Sequence, residues 1–163
     1  MSATTRSLGF NWLVKMWTVN PTCTACSADA DAIRFTVGTC TTIGGCDNLD
    51  LGATKEMIDV TAFEDTINKN VPGRVNQDPI NISGNFDGTC STQKTLQGDV
   101  FHEGVVAAAN TVRVFSATDT VNKRKFSWKG YTQSFKVGVP VKGKATFSAS
   151  FLPISKVQVC TTA

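Results

Sequence analysis

The sequence predicts a mainly β protein, an antiparallel sandwich or barrel with one short α-helix, on three observations. Apolar and polar residues alternate through most segments, Thr, Val and Phe are abundant within them, and Gly and Pro punctuate them. Alternation puts successive side chains on opposite faces of a strand. β-Branched and aromatic residues fit a pleated, half-buried surface. Proline lacks an amide donor and glycine is costly to order, so both tend to end strands. At 163 residues and 41% hydrophobic, the chain can build one core. No low-complexity linker divides it, and no repeat of solenoid period is present.

Taken in order, residues 1–30 read as an N-terminal extension and residues 31–163 as the β domain. Phe10, Trp12, Leu13 and Trp17 make the extension too apolar to stay in water, so it is expected to pack on a neighbouring subunit. Asn11 interrupts its apolar run and Lys15 closes it, which does not suit a secretory signal. No stretch approaches the roughly 20 apolar residues of a membrane span. Production in a cytoplasm is the expectation.

Residues 32–37 read as a short strand, and residues 57–63 and 79–86 as neighbouring strands. Between them, residues 68–78 carry a Pro-Gly step and an Asp-Pro step and read as a long exposed connection. Hairpin loops usually run to about two to five residues, and longer ones tend to be functional. Residues 92–103 place Leu96, Val100 and Phe101 at helical spacing after a cap at Ser91 or Thr92. Gly98 within that stretch costs about 1 kcal/mol relative to Ala, so the helix is expected to be short. Residues 105–115, 125–138 and 145–152 alternate cleanly and complete the strands. Phe63, Phe86, Phe101, Phe135, Phe147 and Phe151 are the expected core.

The net charge is +3, unevenly spread: residues 51–103 carry eight acidic and four basic side chains, and residues 104–163 carry one and nine. Patches of opposite sign can steer copies together and fix their register. Two solvated faces of opposite sign would give the same counts.

Catalysis is not expected. His102, the sole histidine, has no nucleophile context and sits where a cation complements a helix C-terminus. Gly44-Gly45 and Gly84 precede strands or turns, so they make no phosphate loop. Glu64 and Asp65 adjoin and would point apart on a strand. No cofactor is implied. Cys23 and Cys26, followed by Cys40 and Cys46, leave open a zinc site or a disulfide within the extension. Cys90 and Cys160 read as small buried thiols. The basic cluster Asn122, Lys123, Arg124 and Lys125 reads as a hairpin tip rather than a nucleic-acid contact. A duplex reader would show a basic stripe with groove-entering elements.

Three ordered segments carry a family resemblance. TTIGGCDNLDL (41–51), MIDVTAFED through INISGNFDG (57–88), and WKGYTQSFKVGVPVKGKATFSASFLP (128–153) together resemble the tail tube proteins of long-tailed bacteriophages. The resemblance covers about residues 31–155 and leaves out the first 30. It implies a tail-tube β-sandwich whose copies close hexameric rings that stack into a tube. It further implies a virion-tail location, assembly in a host cytoplasm, and a lumen that conducts double-stranded DNA without binding it specifically. Partners would be further copies, with a length-setting protein, a terminator and a baseplate. The same resemblance admits a tailocin, a gene transfer agent or a type VI secretion system. On it, Asn68, Lys69, Asn70, Val71, Pro72, Gly73 and Arg74 are the expected ring-to-ring contact, with Val71 as apolar anchor and Arg74 as charge partner. Phe10, Trp12 and Trp17 join them as subunit contacts. A zinc-stabilised adaptor and a monomeric binding module are the readings from other classes.

Overall fold

This computed structural model describes residues 12–17, 22–24, 34–37, 40–102, 104 and 111–161. The strands are β1 (Trp12–Trp17), β2 (Thr22–Thr24), β3 (Arg34–Val37), β4 (Cys40–Thr42), β5 (Cys46–Asp50) and β6 (Ala53–Asp59). After them come β7 (Asn70–Gln77), β8 (Ile80–Asn85), helix α1 (Ser91–Gly98), β9 (Arg113–Asp119), β10 (Arg124–Gly138), β11 (Thr146–Pro153) and β12 (Gln158–Thr161). The main sheet runs β4-β1-β9-β10-β11-β8-β5, with β12 also paired to β10, and every pairing in it is antiparallel. Strands β2 and β3 form a small separate ladder. No helix among the described residues is long and apolar enough to cross a membrane.

Strands β4 and β5 lie at opposite ends of the sheet order, yet only residues 43–45 join them. Such a link spans at most about 14 Å. The sheet therefore curls back on itself around its core. The turn depends on two glycines. Gly45 adopts φ +73°, the left-handed region that favours glycine, and a Cβ at Gly84 would lie 1.9 Å from the Gly45 carbonyl oxygen. Asn85 N–H donates to that carbonyl at 2.8 Å, stitching the turn to β8.

The 15-residue β10 serves both halves of the curled sheet. Its first half pairs with β9 and β12, and its second half with β11. A register shift between Thr132 and Ser134 inserts one extra residue. Because the side-chain period is two, that insertion changes which residues face inward: Trp128 before it, Phe135 after it. The core joins Val14 and Met16 of β1, Phe115 and Ala117 of β9, and Ile80 and Ile82 of β8 to Phe147, Ala149 and Phe151 of β11 and Leu96 of α1. Phe115 lies at its centre, 5.5 Å from the Trp128 ring and 4.2 Å from that of Phe151.

Several expectations change here. Residues 57–63 and 79–86 are not neighbours: β6 pairs with β7, and β8 lies between β5 and β11. Phe135, Phe147 and Phe151 are buried, and Phe86 packs half-buried against the core. Phe63 and Phe101 are exposed. The helix ends at Gly98 rather than 103, and Cys90 rather than Ser91 or Thr92 is its N-cap. Past its end, Asp99 turns to Arg113 while Val100 still packs against the core. The strand expected over 105–115 is described only from Arg113, and residues 105–110 lie outside the described set.

The boundary at residue 30 does not separate two units in the sheet. Strand β1, inside the expected extension, pairs with β9 along six residues and with β4 on its other side. Val14 and Met16 are buried there. The rest of the extension lies outside the described residues, apart from β2.

Candidate assembly surfaces

The polar segment after residue 56 builds an arm. Strands β6 and β7 pair with each other and with no other strand among the described residues. All of β6 and most of β7 are exposed. The segment expected as a loop is thus largely strand. Pro72 and Gly73 do not break it, because opposite Glu56 the ladder slips by one residue between Lys55 and Met57. A strand in a two-stranded ribbon also has an unpaired outer side, where a missing amide costs no ladder bond. At the root, Asp78 N–H donates to the Gly52 carbonyl at 3.1 Å, and Thr54 Oγ1 donates to the Asp78 carboxylate at 3.2 Å.

The tip, residues 60–69, satisfies itself. Val60 N–H donates to the Lys69 carbonyl at 2.9 Å, Lys69 N–H to Thr61 Oγ1 at 2.9 Å, and Ala62 N–H to the Asp65 carboxylate at 2.9 Å. Lys69 Nζ meets Asp65, holding that carboxyl below the usual carboxylate range together with the Ala62 amide. The Thr61 hydroxyl and amide do the same for Asp59. This compact loop holds Phe63 fully in solvent, at 107% relative exposure, with Ile67 at 75%. An exposed apolar tip held by hydrogen bonds is a candidate contact surface.

Among the expected contact residues, Asn68 and Lys69 lie at this tip and Asn70, Val71, Pro72, Gly73 and Arg74 on β7. All are exposed except the half-buried Gly73, so the arm gathers the whole set. Trp12 instead lies in the main sheet, its ring 5.4 Å from Phe126. Trp17 ends β1, and Phe10 and the Trp17 side chain lie outside what is described. The apolar tip residues Phe63 and Ile67 were missed by sequence reasoning. The alternation around Phe63 suggested a buried strand, whereas a self-bonded turn places it in water.

The second surface is the four-stranded stretch β5-β8-β11-β10. Its inner face carries the core, and its outer face carries small polar groups: Asn48, Asn81, Ser83, Ser134, Ser148 and Ser150, with Asp50 and Lys136. Ser83, Lys136 and Ser148 line a shallow depression of about 470 Å³ on this face. Among the described residues each end of the stretch is an open edge, and strand β5 pairs only with β8. Strand β10 beyond Gly130 pairs only with β11 among the described residues, because β9 stops at Arg113 opposite Gly130.

Two buried polar devices hold α1 against this frame. Gln93 Nε2 donates to the carbonyls of Gly44 at 2.7 Å and Asn85 at 3.1 Å, while its Oε1 accepts from Asp87 N–H at 2.9 Å. Arg113 grips Asp99 through two hydrogen bonds of 2.8 and 2.7 Å, which raises the guanidinium pKa still further.

Other expectations resolve simply. Asn122 and Lys123 form the β9–β10 turn, with Lys123 at φ 55°, and Arg124 and Lys125 begin β10, so the basic cluster is a hairpin tip. His102 is exposed and lies beyond the helix. Of the zinc candidates, Cys26 and the side chains of Cys23 and Cys40 lie outside the described set. The Cys46 thiol is half-buried, and desolvation pushes its pKa up to about 12, which disfavours the thiolate a metal needs. Cys90 is also half-buried, and the side chain of Cys160 is not described.

No protein-family model matches the chain, and no curated protein matches it in sequence. Solved structures do. The tail of an empty gene transfer agent particle, refined with C6 symmetry, superposes with a TM-score of 0.60 at 16% identity over 93% of this chain and 96% of that one. The fold is that of a tail tube. The SPP1 tail tube superposes with a TM-score of 0.61 at 13% identity, covering 93% and 77% of the two chains. A chain of the anti-feeding prophage baseplate gives 0.59 at 8% identity, covering 97% of each.

Proposed function

We propose that the protein is a structural subunit of a virion tail tube, in which six copies close a ring and rings stack head to tail. The observation that carries this is the four-stranded stretch with two unlike open edges. An exposed edge is an aggregation hazard in a monomer and a ready pairing surface in an assembly. When the β5 edge of one copy meets the β10 edge of the next, the contact is heterologous, and a suitable rotation closes it into a ring. The likeness to solved tail tubes, one refined with C6 symmetry, supports six copies.

In such a ring, the Ser- and Asn-rich outer face lines the lumen. Hydroxyls and amides keep their own hydration, and Lys136 on this face is offset by Asp50 on the same face. A surplus of basic groups there would gain free energy by releasing counterions from DNA and would hold it. Double-stranded DNA then passes without specific binding, and the protein's role is passive rather than catalytic. Assembly in the host cytoplasm with a length-setting protein, a terminator and a baseplate belongs to the same proposal. The likeness to the anti-feeding prophage protein supports a second reading within this class, the tube of a phage-derived particle.

Negative-stain electron microscopy of the purified chain at rising concentration tests the proposal. Rings or tubes with a central hole support it. Monomers at every concentration contradict it and favour a binding module or an adaptor, which a zinc assay then separates.

A further inference from the structure

A head-to-tail stack needs two unlike surfaces at opposite ends of the subunit, and the arm supplies only one of them. We propose that the β10–β11 turn of one copy, residues 139–144, is the docking site for the β6–β7 tip of another. This rests on the tube reading above and adds the acceptor to it.

Position is the first ground. The arm leaves the sheet where β5 ends and β8 begins, with Asp50 opposite Asn81 and Ile80 opposite Phe151. The β10–β11 turn lies at the other end of the same strands, with Thr146 opposite Asn85 and Cys46 opposite Gly84. Five residue steps of β8 separate the two ends, about 17 Å. Copies stacked by translation along the strands therefore bring the arm end of one toward the turn end of the next.

Surface chemistry is the second ground. The turn exposes Val139 at 76% and Val141 at 103%, beside the exposed Lys142 and Lys144. It carries no acidic residue. The tip presents Phe63 and Ile67 with the carboxylates of Asp59, Glu64 and Asp65 and one lysine, Lys69, which Asp65 already engages. Each surface thus offers exposed apolar side chains, Val60 joining Phe63 and Ile67 on the tip, with surplus charge of opposite sign. Apolar contact supplies attraction, and the charges set orientation and exclude tip-to-tip or turn-to-turn pairing.

The test compares the full-length parent with Lys142→Glu/Lys144→Glu by electron microscopy, with a thermal melt to check folding. The expected result is a parent that forms tubes and a variant that melts like the parent, forms rings, and loses stacking. Adding Glu64→Lys to the Lys142→Glu/Lys144→Glu chain is expected to restore part of the stacking, because it takes the tip from a surplus of two negative charges to neutral and so removes the repulsion. Val141→Ser, which changes no charge at an exposed position, is expected to shorten tubes and gives the same readout if the lysine variant misfolds. A parent and variants that form tubes of equal length would overturn the acceptor assignment and leave the tube reading standing. A parent that forms neither rings nor tubes would remove the tube reading and this inference with it.

Discussion

The arm and the curled sheet are built on opposite terms. The sheet buries Phe115, Trp128 and Phe151 completely and is tied to its helix by the Gln93 clasp. The arm buries almost nothing, satisfies its tip with its own hydrogen bonds, and leaves Phe63 in water. A lone two-stranded ribbon is marginally stable, so the arm depends on its rooted base and on whatever covers its tip. The sheet carries the free energy of folding. The arm leaves its apolar groups exposed, and under the proposed function assembly is what covers them.

Substitutions should separate the two regions by size of effect. Phe115→Ala empties the centre of the core and is expected to lower unfolding stability by about 4 kcal/mol, measured by denaturant titration. Arg113→Ala leaves the Asp99 carboxylate buried without its partner, at an expected loss of about 3 kcal/mol in the same titration. Gln93→Ala orphans two carbonyls and an amide at the helix–sheet junction, with an expected loss of about 2 kcal/mol. Phe63→Ser should leave monomer stability within about 0.5 kcal/mol of the parent while reducing stacking. A large stability loss from Phe63→Ser would break the comparison, because the tip would then belong to the fold.

A pH series sharpens it further. The Asp119 carboxyl is held below its ordinary range by the Asn122 side chain, aided by the Asn122 and Val121 amides. A carboxyl whose folded pKa is depressed adds stability above its unfolded value, and that stability fades as pH falls through the folded value. Asp119→Asn is therefore expected to lower Tm at neutral pH, with the gap to the parent narrowing below about pH 4.

The fold class was legible because its strands announce themselves. Residues 125–138 and 145–152 fall within one residue of β10 and β11 at each end, since alternating Phe and Val against Ser and Lys has one physical solution. The arm was less legible. Pro72 and Gly73 ordinarily end strands, but the tolerance of a two-stranded ribbon overrides that rule, and the partner of β6 follows from geometry that no periodicity encodes. Phe63 misleads for a related reason: a sequence pattern says which face a side chain takes, not whether a neighbouring copy supplies the cover. The acceptor turn was invisible on its own. Val139 and Val141 acquire meaning only when the strand registers place them at the end of the sheet opposite the arm.

The most direct test of the account is a cryo-electron microscopy reconstruction of the assembled protein at a resolution that separates strands. The account predicts a continuous inner barrel in which β5 of each copy pairs with the β10 edge beyond Gly130 of its neighbour, with the Ser- and Asn-bearing face toward the lumen. A ring whose β10 edge faces solvent, or whose lumen is lined by another face, would contradict it.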